Sequence, residues 1–265
     1  MNPMIRKELR QRMRERRAWI LPSLYLLVLG GTVTFAYFTS FEGSGFREVQ
    51  GAEVGTTVFV VAAFAQLAIL LLITPVFSAG AVTIEKEQRT LAGLLTSLLT
   101  TPEIWWGKFV AALLFQVLLL VSAVPVLALA FAFGGVGWRE LGIATLTTLM
   151  VVVSFSAVGL ACSAYFRRTI HATAVTYGVL GALTALTAIA SLLLSGRGDR
   201  PVLAPLYLNP FFTMMVGLFD DGRWRVTGAW PSVVQWGISL GAFLVLAAAA
   251  AIAAIAFLRQ GGEQV

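Results

Sequence analysis

The sequence predicts an all-α integral membrane protein, a single transmembrane domain over residues 1–265 with six transmembrane helices. Three observations carry that prediction. Seven intervals contain no Asp, Glu, Lys or Arg: 18–41, 54–84, 109–138, 141–166, 169–196, 201–219 and 226–258. A helix needs about 20 mostly apolar residues to cross the bilayer core, and six of these intervals exceed that length comfortably. Mean hydropathy is +0.85 and 12% of residues are charged, a composition suited to a polytopic membrane protein. Alternation of apolar and polar residues at period two is missing, which argues against a membrane β-barrel.

The interval 201–219 is the exception. It contains Pro201, Pro205 and Pro210, and each proline removes a backbone donor and restricts its neighbour. A lipid-facing span does not readily satisfy the carbonyls so freed. The expected form is a set of short re-entrant helices within an outer loop over 195–231, dipping in from outside before span six. Asn209, Pro210, Phe211 and Phe212 lie at their centre, with Leu203, Leu206 and Leu208 also seeking burial. A broken seventh span is the alternative.

Lys and Arg set the orientation. Thirteen of the 19 fall on one side under the six-span reading and six on the other. The positive-inside rule then places both termini in the cytoplasm of a multi-pass cell-membrane protein. Moving 201–219 into a seventh span also satisfies the rule, so the prolines decide between the two. The formal net charge of +6 requires no nucleic acid, because the basic excess lies beside span one, where anionic membrane lipids attract it. No cleavable signal is apparent, and the first span is expected to stay as an anchor.

The elements follow in order. Asn2 and Pro3 read as a helix start, and Ile5, Leu9 and Met13 recur at i, i+4, i+8 among arginines. This is an amphipathic interfacial helix over 1–17, with Arg6, Arg10, Arg14 and Arg17 facing the membrane surface. Span one covers roughly 19–37, and span two roughly 57–79 with Pro75 near its inner end. Between spans two and three lies a charged, helix-prone segment over 83–108. Leu91, Leu94, Leu95 and Leu98 form one apolar stripe on it, and a helix from 85 to 98 is expected. Glu85 and Arg89 are spaced i, i+4 for an ion pair. Thr101, Pro102 and Glu103 supply a cap, a first-turn proline and a first-turn acid for the next helix. Trp105 and Trp106 are placed at interface level, and Lys108 as a snorkelling lysine. Span three covers roughly 109–133, spans four and five are joined by a short turn over 166–171, and span six covers roughly 233–257.

Catalytic chemistry finds little support. No acid or base lies inside an assigned span, whereas ion-coupled carriers and pumps usually need one there. Gln66, Gln116 and Gln235 read as helix–helix hydrogen-bonding groups. His171 is the single histidine and Cys162 the single cysteine, so metal-ligand sets and an intramolecular disulfide are not available. Asp220 and Asp221 read as a solvated loop. Gly107 and Lys108 lack the glycine and hydroxyl positions of a phosphate-binding loop, since Pro102 and Phe109 stand there.

The basic start NPMIRKELRQRMRERR, the six spans and the inner segment together resemble the type-two class of ABC-transporter permeases. The segment's pattern is read in Glu85-Lys86-Glu87, Thr90-Leu91, Leu94-Leu95, Thr101-Pro102 and Gly107-Lys108, preceded by 75–80 at the end of span two. Two departures stand out. Gln88-Arg89 occupies the place where a glycine often precedes the threonine, and 97–100 adds spacing before Thr101. The resemblance implies the type V exporter fold, with two permease subunits around a central path, as a homo- or heterodimer. It implies docking on a cytoplasmic ABC ATPase through a coupling helix, with Glu85, Glu87, Arg89, Thr90, Leu91, Leu94, Leu95, Leu98, Thr101 and Pro102 as coupling residues. ATP and Mg would sit on that partner, with no cofactor or metal on this chain and no hydrolysis by it. The alternative from another class is an ATPase-coupled membrane protein that transmits force or assembles a complex without moving a solute. An intramembrane enzyme is disfavoured, because the spans lack a nucleophile–base set.

Overall fold

The computed structural model describes residues 17–42, 51–90, 100–195, 204–219 and 232–262. Every regular element among them is helical. They are α1 (Arg17–Glu42), α2 (Gly51–Glu87), α3 (Thr101–Ala128), α4 (Trp138–Tyr165), α5 (Thr169–Ser195), α6 (Pro210–Leu218) and α7 (Ser232–Gly262). Two 3-10 turns complete the set, Leu129–Phe133 after α3 and Ala204–Leu208 before α6.

Six of these helices are long and apolar enough to cross a membrane: α1 to α5 and α7. The proline-rich interval is not a seventh span. Its 3-10 turn has five residues and α6 has nine, so α6 is about 14 Å long against a hydrocarbon core of about 30 Å. Pro205 falls inside the 3-10 turn. Pro210 opens α6 at its first position, where its missing N–H would have had no helical partner anyway. In contrast α2 has 37 residues, about 55 Å, and continues beyond the expected span at both ends. Its last turn carries Glu85, Lys86 and Glu87.

The spans alternate in direction. Ala36 near the end of α1 packs with Val54 and Val58 near the start of α2. At the other end Val82, Trp105, Phe109, Ala164 and Leu258 share one cluster. The ends of α2, α4 and α7 therefore meet the start of α3 at one pole, called the Glu85 pole below.

α4 is the central post. In its most apolar window 61% of residues are buried, against 17% for α1 and for α7. Its largest partners are α7 and α2. Phe59, Leu67, Val151, Phe155 and Phe243 form the core between them, with Phe155 and Phe243 edge to face at 6.1 Å. With hydrocarbon outside as well as inside, close packing and interhelical hydrogen bonds hold such a bundle together. Gln116 of α3 makes the expected bridge: its Oε1 accepts from the Thr74 hydroxyl of α2 at 2.6 Å, and its Nε2 donates to Ser156 Oγ of α4 at 3.0 Å. Ser154 Oγ donates to the Phe243 carbonyl of α7 at 2.7 Å. Gln66 departs from its expected role. It is 1% exposed, and neither its Oε1 nor its Nε2 has a partner among the described residues.

The α2–α4 crossing depends on Gly159. A Cβ added there would lie 1.9 Å from Ser78 Oγ and 2.8 Å from Ser78 Cβ, so the helix axes are closer than two side chains permit. Gly159→Ala is expected to destabilise the purified chain by about 1–3 kcal/mol through overpacking. Ser78→Gly in the same chain removes both clashing atoms and is expected to return most of that loss. Thermal unfolding in detergent measures both. An unperturbed Gly159→Ala chain would show that the crossing is looser than described.

Candidate functional site

Three consecutive residues end α2, and a helix turns about 100° per residue, so their side chains leave in three directions. Each finds a different neighbour. Glu85 Oε1 meets Lys108 Nζ of α3 at 2.8 Å. Lys86 Nζ donates to the carbonyls of Ser163 at 3.2 Å, Phe166 at 3.0 Å, and Ala164. These lie at the end of α4, whose last carbonyls have no helical partners and carry the negative end of its dipole. Glu87 Oε1 accepts from the Thr169 N–H at 2.7 Å, so a carboxylate caps the positive start of α5. Ser163 Oγ accepts from the Val82 and Thr83 N–H groups, at 2.9 and 3.1 Å, and Thr169 Oγ1 donates to Thr83 Oγ1 at 2.9 Å.

α2 stops because Arg89 turns left-handed, at φ +57°. The Arg89 N–H donates to the Lys86 carbonyl at 3.2 Å and the Thr90 N–H to the Glu85 carbonyl at 3.0 Å. Those two bonds define a Schellman ending with Arg89 at the position glycine usually fills. The departure noted in the sequence thereby has a physical meaning: a residue with a Cβ occupies a site that favours none. The expected helix over 85–98 is accordingly interrupted at its start, because Glu85 and Glu87 belong to α2 and residues 88–90 form the turn. The expected Glu85–Arg89 pair is also replaced, since the Glu85 carboxylate is turned to Lys108. Leu91, Leu94, Leu95 and Leu98 lie outside the described residues.

The chain returns through the start of α3. Thr100, one residue earlier than expected, is the cap. Its N–H and its hydroxyl both donate to Glu103 Oε2 at 2.8 Å, while Thr101 and Pro102 open the helix. Trp105 and Trp106 separate. Trp106 is 55% exposed, but Trp105 is buried and stacks on Phe109 at 4.8 Å. Lys108 does not snorkel. Its side chain is 1% exposed and Nζ also donates to the Ala81 carbonyl at 2.7 Å. The reason is competition: an acid one helix away and a nearby backbone carbonyl offer more to a buried ammonium than a long reach to the surface. Arg6, Arg10 and Arg14 lie outside the described residues, and Arg17 is the first residue of α1.

At the opposite pole Asn209 organises the short pieces. Its Oδ1 accepts from the Phe211 and Phe212 N–H groups at 3.1 and 3.3 Å, capping α6. Its Nδ2 donates to the Thr184 carbonyl and Thr187 Oγ1 of α5 at 3.0 and 3.2 Å. All four bonding capacities of the amide are used. Phe212 and Val216 then pack with Leu206, Tyr207 and Trp236. Between α2, α5 and α6 lies a groove of about 570 Å³ lined by Phe64, Thr184, Ala185, Ala188, Phe211 and Met215, among others. Phe64 and Phe211 are parallel across it, with ring centroids 6.4 Å apart. Asn209 also lines the groove, but its amide is committed to protein partners. The surface offered is therefore almost wholly apolar.

Sequence reading did not single out Ser163, Thr169, Thr83 or Tyr177. Ser163 and Thr169 join the charged triplet to α4 and α5, and Tyr177 donates its hydroxyl to the Leu72 carbonyl, three residues before Pro75. Their common signal is a hydroxyl facing a helix end or a proline-disturbed turn, which emerges only once the helices are placed together.

The model for the ABC-2 family transporter protein family matches residues 3–261, nearly the whole chain. A search of curated proteins found no match.

The turn at Arg89 supplies a test of this geometry. Arg89→Gly removes the left-handed penalty, about 1–2 kcal/mol for a residue with a Cβ, and is expected to stabilise the chain by up to that amount. Arg89→Val is expected to destabilise it. Thermal unfolding of the two variants beside wild type decides, and a loss of stability in Arg89→Gly would contradict the Schellman ending.

Proposed function

Because the chain belongs to the ABC-2 transporter family and is its multi-pass membrane component, we propose that it is the permease subunit of an ATP-driven exporter. In this reading two permease subunits form the translocation path. A separate cytoplasmic ATPase carries ATP and Mg and performs the hydrolysis. The Glu85 pole faces the cytoplasm of a cell membrane, as the 13-to-six distribution of Lys and Arg favours. The apolar groove beside α6 lies near the outer end of the path and suits an apolar portion of a cargo.

The observation that carries this reading is the anchored base of the segment between α2 and α3. α2 ends at Glu87, α3 begins after the Thr100 cap, and the Glu85–Lys108 pair holds these two flanking helices together. The leucine stripe of the sequence, Leu91, Leu94, Leu95 and Leu98, falls between these two anchored ends, and an apolar stripe of that kind calls for a partner. A docking element with a rigid base and an apolar face is what force transfer from a closing ATPase requires.

Leu94→Glu tests it. On a face docked against the ATPase, the new carboxylate is buried without a partner, at a cost of a few kcal/mol. The spans are untouched, so membrane insertion is expected to persist while co-purification of the ATPase and stimulated hydrolysis both fall sharply. Retained co-purification with normal turnover would remove the segment from the ATPase interface.

A further inference from the structure

The carboxylates of Glu85 and Glu87 carry the charge expected to meet the ATPase, yet each already has a partner within the chain, Glu85 part-buried and Glu87 at an exposed position. Glu85 holds α3 through Lys108, Lys86 holds the end of α4, and Glu87 holds the start of α5. The triplet is thus a junction of four spans, one of which is the helix that leads directly into the 88–100 segment. We propose that Glu85, Lys86 and Glu87 are positioning residues of the coupling step, acting through their bonds to α3, α4 and α5 rather than as contacts to the ATPase. They make α3, α4 and α5 follow the end of α2.

The geometry gives the movement a destination. α5 is joined to α2 at Glu87–Thr169, at Thr83–Thr169 and again at Leu72–Tyr177. Farther along, α5 supplies Thr184, Ala185 and Ala188 to the apolar groove. The Thr184 carbonyl and Thr187 hydroxyl then receive Asn209, the cap of α6. A displacement at Glu87 therefore reaches the groove along one helix, and reaches α6 through one amide. α5 is well suited to this because much of its surface is free of the bundle: 22% of its most apolar window is buried, against 61% for α4. It is therefore less constrained than α4 in how far it can follow α2. The inference rests on the exporter reading for its ATP-dependent part.

Glu87→Ala removes the cap of α5, and Glu87→Gln keeps an amide oxygen able to accept from the Thr169 N–H. Both are made in a Cys162→Ala, Ala185→Cys chain reconstituted with its co-purifying ATPase. Glu87→Ala is expected to retain the ATPase within about twofold of the parent. The ATP-driven change in maleimide labelling at position 185 is expected to fall at least about fivefold, and Glu87→Gln to restore it. Release of the ATPase by Glu87→Ala would overturn the inference, since that is the behaviour of a contact residue. An unchanged ATP-driven labelling response would overturn it equally. A second arm uses the purified chain alone: amide exchange across 169–172 is expected to rise at least about tenfold in Glu87→Ala and to stay at the parent level in Glu87→Gln. Unaltered exchange in Glu87→Ala would show that the junction does not hold α5. If the wild-type chain binds no ATPase, that result counts against the exporter reading, while the exchange arm still decides whether the junction exists.

Discussion

A buried ammonium cannot be left unpaired where water is scarce, and Lys108 is 1% exposed. Removing such an ion from water costs several kcal/mol, and only a close counter-charge with further hydrogen bonds offsets it. Glu85 at 2.8 Å and the Ala81 carbonyl at 2.7 Å meet that condition. Both belong to the last turns of α2. The requirement of one side chain in α3 therefore fixes how far α2 must run, at least to Glu85, and how its final turn must face. Once Glu85 faces α3, the helical twist directs Lys86 and Glu87 to other neighbours, and they meet the end of α4 and the start of α5. Helix ends in a membrane protein carry unsatisfied carbonyls and N–H groups, so charges delivered there are stabilising rather than merely tolerated.

This division of labour explains why the two poles differ in chemistry. The Glu85 pole is joined by charge-assisted bonds between helix ends. The opposite pole is joined by a neutral amide, Asn209, and by aromatic packing around α6. Between them α4 packs closely through small and hydroxyl residues: Gly159 against Ser78, Ser154 onto Phe243, and Ser156 to Gln116. α4 is the most buried of the spans, whereas α1, α5 and α7 present many exposed apolar residues. A permease that must open a path needs that contrast, and the exporter reading assigns the moving part to α5.

The fold was largely legible in the sequence because bilayer thickness imposes a simple rule on length and apolarity. The six spans follow from charge-free intervals, and Pro201, Pro205 and Pro210 indicated short helical pieces in place of a seventh span. Gln116 behaved as a buried polar residue in a bundle should, while Gln66 has no partner among the described residues. The site was less legible, for a physical reason. Periodicity within one helix shows which residues share a face, but not what that face meets. Glu85 had a local candidate at i+4 in Arg89 and took a distant one instead. Lys108 and Trp105 had the spacing of interface residues and were drawn inward, Lys108 by Glu85 and Ala81 of α2 and Trp105 into the cluster with Phe109, Val82 and Ala164. Arg89 sits at a left-handed turn that its side chain does not advertise. Asn209 was legible in place but not in role, because its partners Thr184 and Thr187 lie on another span.

The central claim is that the Glu85–Lys108 pair holds the base of the 88–100 segment. It is tested most directly by a double-mutant cycle on the stability of the purified chain, with Glu85→Leu and Lys108→Met made singly and together. Glu85→Leu leaves the buried Lys108 ammonium without its acid partner and is predicted to cost about 3–5 kcal/mol, Lys108→Met leaves the part-exposed Glu85 unpaired and is predicted to cost less, and the double change removes both charges and is predicted to recover most of the larger loss. A double variant whose loss equals the sum of the two single losses would contradict the account, since the two side chains would then act independently.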